Sequence, residues 1–265
     1  MLSFLDKNKK FWEAQSTKFI ENYNGGKVIP GLSKLERELA KQLKGNVLHP
    51  FCNFGMNTFS LEHYSKTITG VDFSKPAIDF ANEYSINHNL NSKFIHSDFF
   101  EFNPSDTFDS IFMSYGILDW VYDLNAFFNK LYYLLKDSGK IYMIEYHSNF
   151  YKELIHEKNA THIKDNIYEF SLDLNQYKIS NVKSIYGEGR ELINTKTNAN
   201  IFLHDTNEFI DKISSYNFKI DFLEYSDFLE FPQSEKDIKI DKNKYIKGEI
   251  KDDNPMLFSI IISKK

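Results

Sequence analysis

The 265-residue chain is long enough to bury a large core, and its net charge of −5 with no basic tract argues against a nucleic-acid partner. No segment approaches the ~20 apolar residues of a membrane span, and MLSFLDKNKKFW has no signal-peptide core. Cys52, as the single cysteine, excludes an internal disulfide and fits a reducing compartment, so a cytoplasmic protein is expected.

In chain order, residues 1–32 read as a polar leader with Trp12, Phe19 and Tyr23 on one side of a helix, broken at Asn24-Gly25-Gly26. Ser33-x-x-Glu36 is a capping-box pattern ahead of Leu35, Leu39 and Leu43, with Gly45 as a stop. Strands are then expected near Asn46–His49, Lys66–Val71, Lys93–His96, Ser110–Ser114 and Lys140–Tyr146, alternating with helices. One helix follows Gly55 to about His63. A second carries Pro76 in its first turn, and a third runs from Leu124 and stops at Ser138-Gly139. Such alternation predicts a doubly wound parallel sheet. After His147 the pattern changes. Ile167–Leu172 and Tyr177–Ser184 suggest short antiparallel strands, Asp205-x-x-Glu208 caps another helix, and Phe218–Tyr225 and Met256–Ser263 are apolar enough for the last two strands. The charged residues 226–254 between them read as a surface loop or hairpin.

The segment VLHPFCNFGMNTFSLEHYSKTITGVD carries most of the functional information. It reads as strand, tight turn, helix, strand, and then Asp72 at the second strand's tip. A turn at Gly55 brings backbone N–H groups to a ligand, and a carboxylate on the next strand tip can accept from a ribose diol. Asp72 follows Gly55 by 17 residues, near the ~20 expected of that pairing. The dinucleotide fingerprint is incomplete, because Phe51 and Asn53 replace two glycines. That disfavours a pyrophosphate and favours a phosphate-free adenosine cofactor.

On these residues the chain resembles the class I S-adenosylmethionine-dependent methyltransferases of small-molecule type. VLHPFCNFG is similar to the family's first motif, GVDFSKPAIDFAN to its second and FIHSDFFEF to its third. FDSIFMSYGILDWVYDL and LLKDSGKIYMIEYH match the fourth and fifth strand regions. The resemblance implies a Rossmann-like seven-stranded sheet, mostly parallel with an antiparallel last strand, to which the sequence adds an antiparallel β insertion. It implies S-adenosyl-L-methionine as cofactor and S-adenosyl-L-homocysteine as product. The corresponding division is an N-terminal helical lid (1–45), a cofactor-binding core (46–147), an acceptor-binding insertion (148–204) and a C-terminal part of the core sheet (205–265). His49, where the family usually has an acid, and the non-glycine Phe51 and Asn53 are departures.

The resemblance makes Asp72 the ribose acceptor, against the reading of a turn aspartate that caps a helix. Phe73 would cover an adenine face. Asp98 would accept from the adenine amino group, with the Phe99 N–H beside it, or else cap a turn. Phe51, Asn53 and Gly55 should line the methionine portion, with Met113 and Ser114 bordering it and Tyr23 closing the site from above; Asn57 reads as a helix cap. Tyr115, Trp120, Glu145 and Arg190 are acceptor-side candidates, although Glu145 also fits a buried strand residue and Arg190 a hairpin tip. His147 and His204 are the two candidate general bases, since a neutral imidazole can take a proton near neutral pH. No metal is expected, for want of ligand spacing. The acidic charge and the insertion favour a small-molecule acceptor, with the protein a monomer or homodimer. The alternative is a non-catalytic cofactor-binding protein of the same fold.

Overall fold

Strand segments as apolar as VLHP and SIFMS must be covered on both faces, and in the computed structural model helices cover them. The structure describes residues 2–22, 31–157, 160–173, 196–230, 237–241, 244–247 and 254–265. Helices α1 (Leu2–Asn22) and α2 (Lys34–Ala40) lead into β1 (Asn46–Pro50), α3 (Met56–Leu61), β2 (Thr67–Asp72), α4 (Lys75–Asn87) and β3 (Lys93–His96). Then come β4 (Phe108–Ser114), a 3-10 turn (Leu118–Trp120), α5 (Leu124–Leu134), β5 (Leu135–Tyr146) and α6 (Ser148–Glu157). The remaining elements are β6 (Thr161–Lys164), β7 (Ile167–Asp173), β8 (Lys196–Phe202), α7 (Thr206–Ile213), β9 (Phe218–Ser226), β10 (Asp237–Asp241), β11 (Lys244–Lys247) and β12 (Leu257–Lys264).

Among the described residues the main sheet has seven strands in the order β3-β2-β1-β4-β5-β12-β9. The first five are parallel, and β12 runs antiparallel to both β5 and β9. Alternation sends neighbouring residues to opposite layers. Leu48 and Met113 face Phe127, Phe128 and Leu131 of α5 and Phe209 of α7. Val47 and Phe112 face Leu39, Ala40, Leu43 and Leu61. The order reverses between β1 and β4, and such a switch point opens a crevice at the C-terminal strand ends.

Two details correct the sequence reading. Helix α5 ends at Leu134, and β5 begins at once; Ser138-Gly139 marks a bulge, since Phe108 pairs with Leu135 while Ser110 pairs with Lys140. Helix α6, unforeseen in its polar sequence, buries Phe150 and Tyr151 against Leu229, Met256 and Leu257. The three-stranded antiparallel sheet β6-β7-β8 lies within the expected insertion. Tyr177–Ser184 falls outside the described residues. In the charged stretch β10 and β11 form a hairpin.

Helix α1 holds both parts together. Ser74 Oγ donates to Ser16 Oγ at 2.8 Å, with both side chains buried. On β8, Asn200 exchanges two hydrogen bonds with Asn8, Asn8 Nδ2 to Asn200 O at 2.8 Å and Asn200 N to Asn8 Oδ1 at 2.7 Å. Phe11 stacks on Trp120 at 5.8 Å, and Trp12 meets the same ring edge-on at 5.1 Å.

Gly55 is a sharp test of this packing. Its φ is +77°, and a Cβ there would lie 2.4 Å from the ring of Phe94, itself in the core. Gly55→Ala should therefore destabilise the fold by about 2 kcal/mol or more, from left-handed strain and overpacking together. Urea unfolding would measure the loss.

Candidate cofactor and acceptor site

The turn after β1 shapes the centre of the crevice. Phe51, Asn53 and Gly55 all have left-handed backbones, with φ of 56°, 50° and 77°. Two side-chain-bearing residues thus hold the conformation for which glycine is the usual choice, at a cost of about 1–2 kcal/mol for a residue such as Phe51. The turn is tied down by its neighbours. Cys52 N–H donates to Val71 O, and the Asp72 carboxylate accepts from Asn53 N–H and from Ser74 N–H, each at 2.9 Å. Burial pushes the Asp72 carboxyl up to about 6, against the pull of those two N–H groups.

Asp98 stands at the exit of β3. One oxygen accepts from Phe100 N–H at 3.0 Å, as a turn cap would, and the other pairs with Lys9 of α1 at 3.2 Å. Phe51 packs on the buried Phe99, ring centroids 4.9 Å apart. The half-buried Phe73 offers its carbonyl to His96 Nε2 at 2.9 Å. Asp72, Phe73, Asp98, Phe99, Phe51, Asn53 and Gly55 thus all belong to the exits of β1, β2 and β3. Met113 does not present its side chain there, because it is fully buried in the core between β4 and α5.

At the β4 exit, Ser114 donates to Glu36 Oε1 at 2.7 Å, and Asn57 Nδ2 donates to the same oxygen at 2.7 Å. Asn57 is therefore a cross-link and not a helix cap; the residue at the cap position of α3 is Gly55. Glu36 Oε2 accepts from Ser33 N–H, completing the capping box. Tyr115 follows with a left-handed φ of 52°, its hydroxyl donating to Glu230 at 2.6 Å and lying 3.1 Å from Ser33 Oγ. Ser33, Glu36, Asn57 and Glu230 were absent from the functional reading of the sequence. The capping box and Asn57, read as a helix cap in preference to a ligand contact, were its traces, and both pointed to helix geometry.

The acceptor-side candidates separate. Glu145 is fully buried and accepts from the N–H groups of Gly116 (2.7 Å), Ile117 (2.7 Å), Leu118 (3.0 Å) and Tyr146 (2.6 Å). Its job is to anchor the loop after β4, which corrects its assignment to the acceptor. The neighbouring Asp119 is held well above the ordinary carboxylate range by burial and by Glu145. Trp120 sits on that anchored loop beneath α1. Arg190 and Tyr23 lie outside the described residues.

The two histidines part company as well. His147 Nδ1 accepts from Asn149 N–H at 3.2 Å at the start of α6, and its ring lies edge-on to Tyr225 of β9 at 5.9 Å. That is the side of β5 away from β4, so the structure does not bring His147 to the strand-exit cluster. His204 Nε2 is 2.6 Å from Val121 O, an acceptor only, so Nε2 carries the proton. Nδ1 is then the acceptor, 3.5 Å from Asn166 Nδ2, and the residue lines an open cleft with Tyr122, Asn166, Glu208 and Lys212. Burial lowers both histidines' pKa, which favours neutral rings. Among the described residues no three metal-ligating side chains converge, and no helix is long and apolar enough to cross a membrane.

A mostly parallel sheet in this strand order, with acidic residues at the β2 and β3 tips beside its switch point, defines a class I methyltransferase fold. The family model described as "Methyltransferase domain" matches residues 42–206, more than half of the chain. The chain belongs to this family, as an S-adenosylmethionine-dependent methyltransferase. Comparison with curated proteins gives no match. Solved structures of the same fold include an S-adenosylmethionine-dependent methyltransferase from Clostridium acetobutylicum, 13% identical over 96% of this chain and 98% of that one, with TM-score 0.59. The DhpI-SAM-HEP complex is 12% identical over 98% and 97%, with TM-score 0.59. The glycopeptide N-methyltransferase MtfA complexed with sinefungin is 11% identical over 92% and 90%, with TM-score 0.57.

The donor chemistry of the crevice fits S-adenosylmethionine. Asp72 and Asp98 offer acceptors to hydroxyl and amino groups, Phe51 packs on Phe99 nearby, and the turn after β1 carries one glycine, Gly55, where a pyrophosphate would want several. Asp72 makes the fit testable by pH. Its folded pKa lies above the unfolded value near 3.8, so its contribution to stability is complete below pH ~4 and is lost as pH rises through about 6. A ribose diol prefers the ionised form, so cofactor affinity should move the opposite way. The Kd for S-adenosylhomocysteine should rise about tenfold between pH 7.5 and pH 5, and calorimetry on Asp72→Asn should show that step flattened.

Proposed function

We propose that the chain transfers the methyl group of S-adenosylmethionine to an oxygen or nitrogen of a small biosynthetic metabolite, such as a sugar or a nucleotide-linked intermediate. The observation that carries this reading is the left-handed turn at Phe51, Asn53 and Gly55, fastened to the β2 tip by Asp72. A chain that had abandoned the site would have no reason to keep that strain. When bound, S-adenosylmethionine supplies an activated methyl group that carries its own leaving group. The protein's task is alignment, and positioning alone can contribute ~7–11 kcal/mol.

In this reading Asp72 holds the ribose and Asp98 the adenine amino group, with Phe51, Phe73 and Phe99 around the base. Asn53, Gly55 and Ser114 serve the methionine end. The acceptor enters beside Tyr115 and Trp120, under α1. Arg190 would clamp an anionic acceptor, and Tyr23 would close over the cofactor. An acidic, cytoplasmic protein without the N/D-P-P-Y/F motif of amino-methylating nucleic-acid enzymes (MSYGI stands there) suits a metabolite. The amine acceptor implied by the name of the glycopeptide N-methyltransferase supports nitrogen as one option. His204 is the better candidate base, because its proton sits on Nε2, Nδ1 is left as the acceptor atom with only a long 3.5 Å contact to Asn166, and the residue lines a cleft.

Asp72→Ala should weaken S-adenosylmethionine binding by roughly 1–3 kcal/mol, the range for charge-assisted hydrogen bonds. Unchanged affinity in a folded variant would refute the ribose assignment. Once labelled cofactor has revealed an acceptor in a metabolite extract, His204→Ala should slow turnover by ~10²–10⁴-fold with cofactor affinity intact. His147→Ala should change it less than about tenfold; the reverse ranking would return the role to His147.

A further inference from the structure

Glu36 makes the most unusual set of contacts around the proposed site. It is 1% exposed, and its carboxylate receives hydrogens from three different elements: Ser33 N–H at 2.7 Å, Asn57 Nδ2 at 2.7 Å and Ser114 Oγ at 2.7 Å. Burial raises its pKa, and the bonds from Ser33 and Ser114 pull the other way. Glu230 stands nearby, accepting from Leu35 N–H and Tyr115 Oη.

The consequence lies in which atoms remain. Ser114 has one hydrogen and gives it to Glu36, so its hydroxyl can meet a ligand only as an acceptor. Asn57 turns its NH2 towards Glu36, with a second, longer contact to Ser114 Oγ at 3.4 Å, which leaves Oδ1 as its acceptor. Both side chains stand where α3 begins and β4 ends, across the β1–β4 switch point from Asp72. With Asp72 and Asp98 holding the nucleoside, this is the far end of the cofactor.

We propose that Glu36 is a positioning residue that sets the polarity of the methionine subsite. By holding Ser114 and Asn57 as outward acceptors, it selects a ligand bearing a donor there, the cofactor's α-ammonium. This rests on the cofactor reading above. Glu36→Gln breaks the arrangement with minimal change of shape. An amide has one oxygen, so if that oxygen keeps the Ser33 cap, the NH2 faces Ser114 and forces its hydroxyl outward as a donor.

The test compares two ligands by calorimetry: S-adenosylhomocysteine, which carries the amino-acid portion, and methylthioadenosine, which lacks it. Glu36→Gln should raise the Kd for S-adenosylhomocysteine at least tenfold and leave that for methylthioadenosine within about twofold of wild type. Equal weakening of both would mean that Glu36 only supports the fold, and no change in either would also overturn the proposal. Should Glu36→Gln fail to fold, Ser114→Ala decides: it must weaken S-adenosylhomocysteine selectively. Failure of the wild type to bind either ligand would instead sink the cofactor reading itself.

Discussion

One carboxylate fastens the site together. Asp72 accepts from Asn53 N–H on the turn after β1 and from Ser74 N–H at the entrance to α4. Those two bonds hold three strained or tightly turned residues in register with the neighbouring strand tip. They also explain how the turn tolerates Phe51 and Asn53 at all, since a left-handed residue persists only where its surroundings over-determine it. Burying the anion for this purpose is costly, which is why its pKa rises. The same group that braces the backbone keeps further lone pairs, since each of its oxygens accepts one backbone N–H.

The fold was largely legible because its information is periodic. Alternating apolar strands and amphipathic helices give a doubly wound sheet without knowledge of any contact, and the boundaries of β1 to β4 fall within two residues of those read from the sequence. Legibility failed where periodicity carries two meanings. Ser138-Gly139 resembles a helix stop yet accommodates a strand bulge, and SNFYKELIHE hides a helix whose apolar contacts come from Leu229 and Met256, far along the chain.

The site was legible at strand tips, where position in the sheet dictates position in space. It was not legible where long-range pairing decides a side chain's work. Glu145 looked available from its place at the end of β5, but three backbone N–H groups from the loop after β4 converge on it, joined by that of Tyr146 beside it. Glu36 looked like a helix cap, and its partners Asn57 and Ser114 are respectively 21 and 78 residues distant. His147 followed the right strand but turned to Tyr225 on the wrong side of it. Met113, adjacent to Ser114, points into the opposite layer by the simple alternation of a strand.

Helix α1 joins regions that lie far apart along the chain. Its residues Lys9 and Ser16 contact Asp98 and Ser74 at the β3 and β2 exits, while Asn8, Phe11 and Trp12 contact Asn200 on β8 and Trp120 on the loop after β4. Displacing this one 21-residue helix would therefore strip contacts from the β2 and β3 exits and from the loop after β4 together.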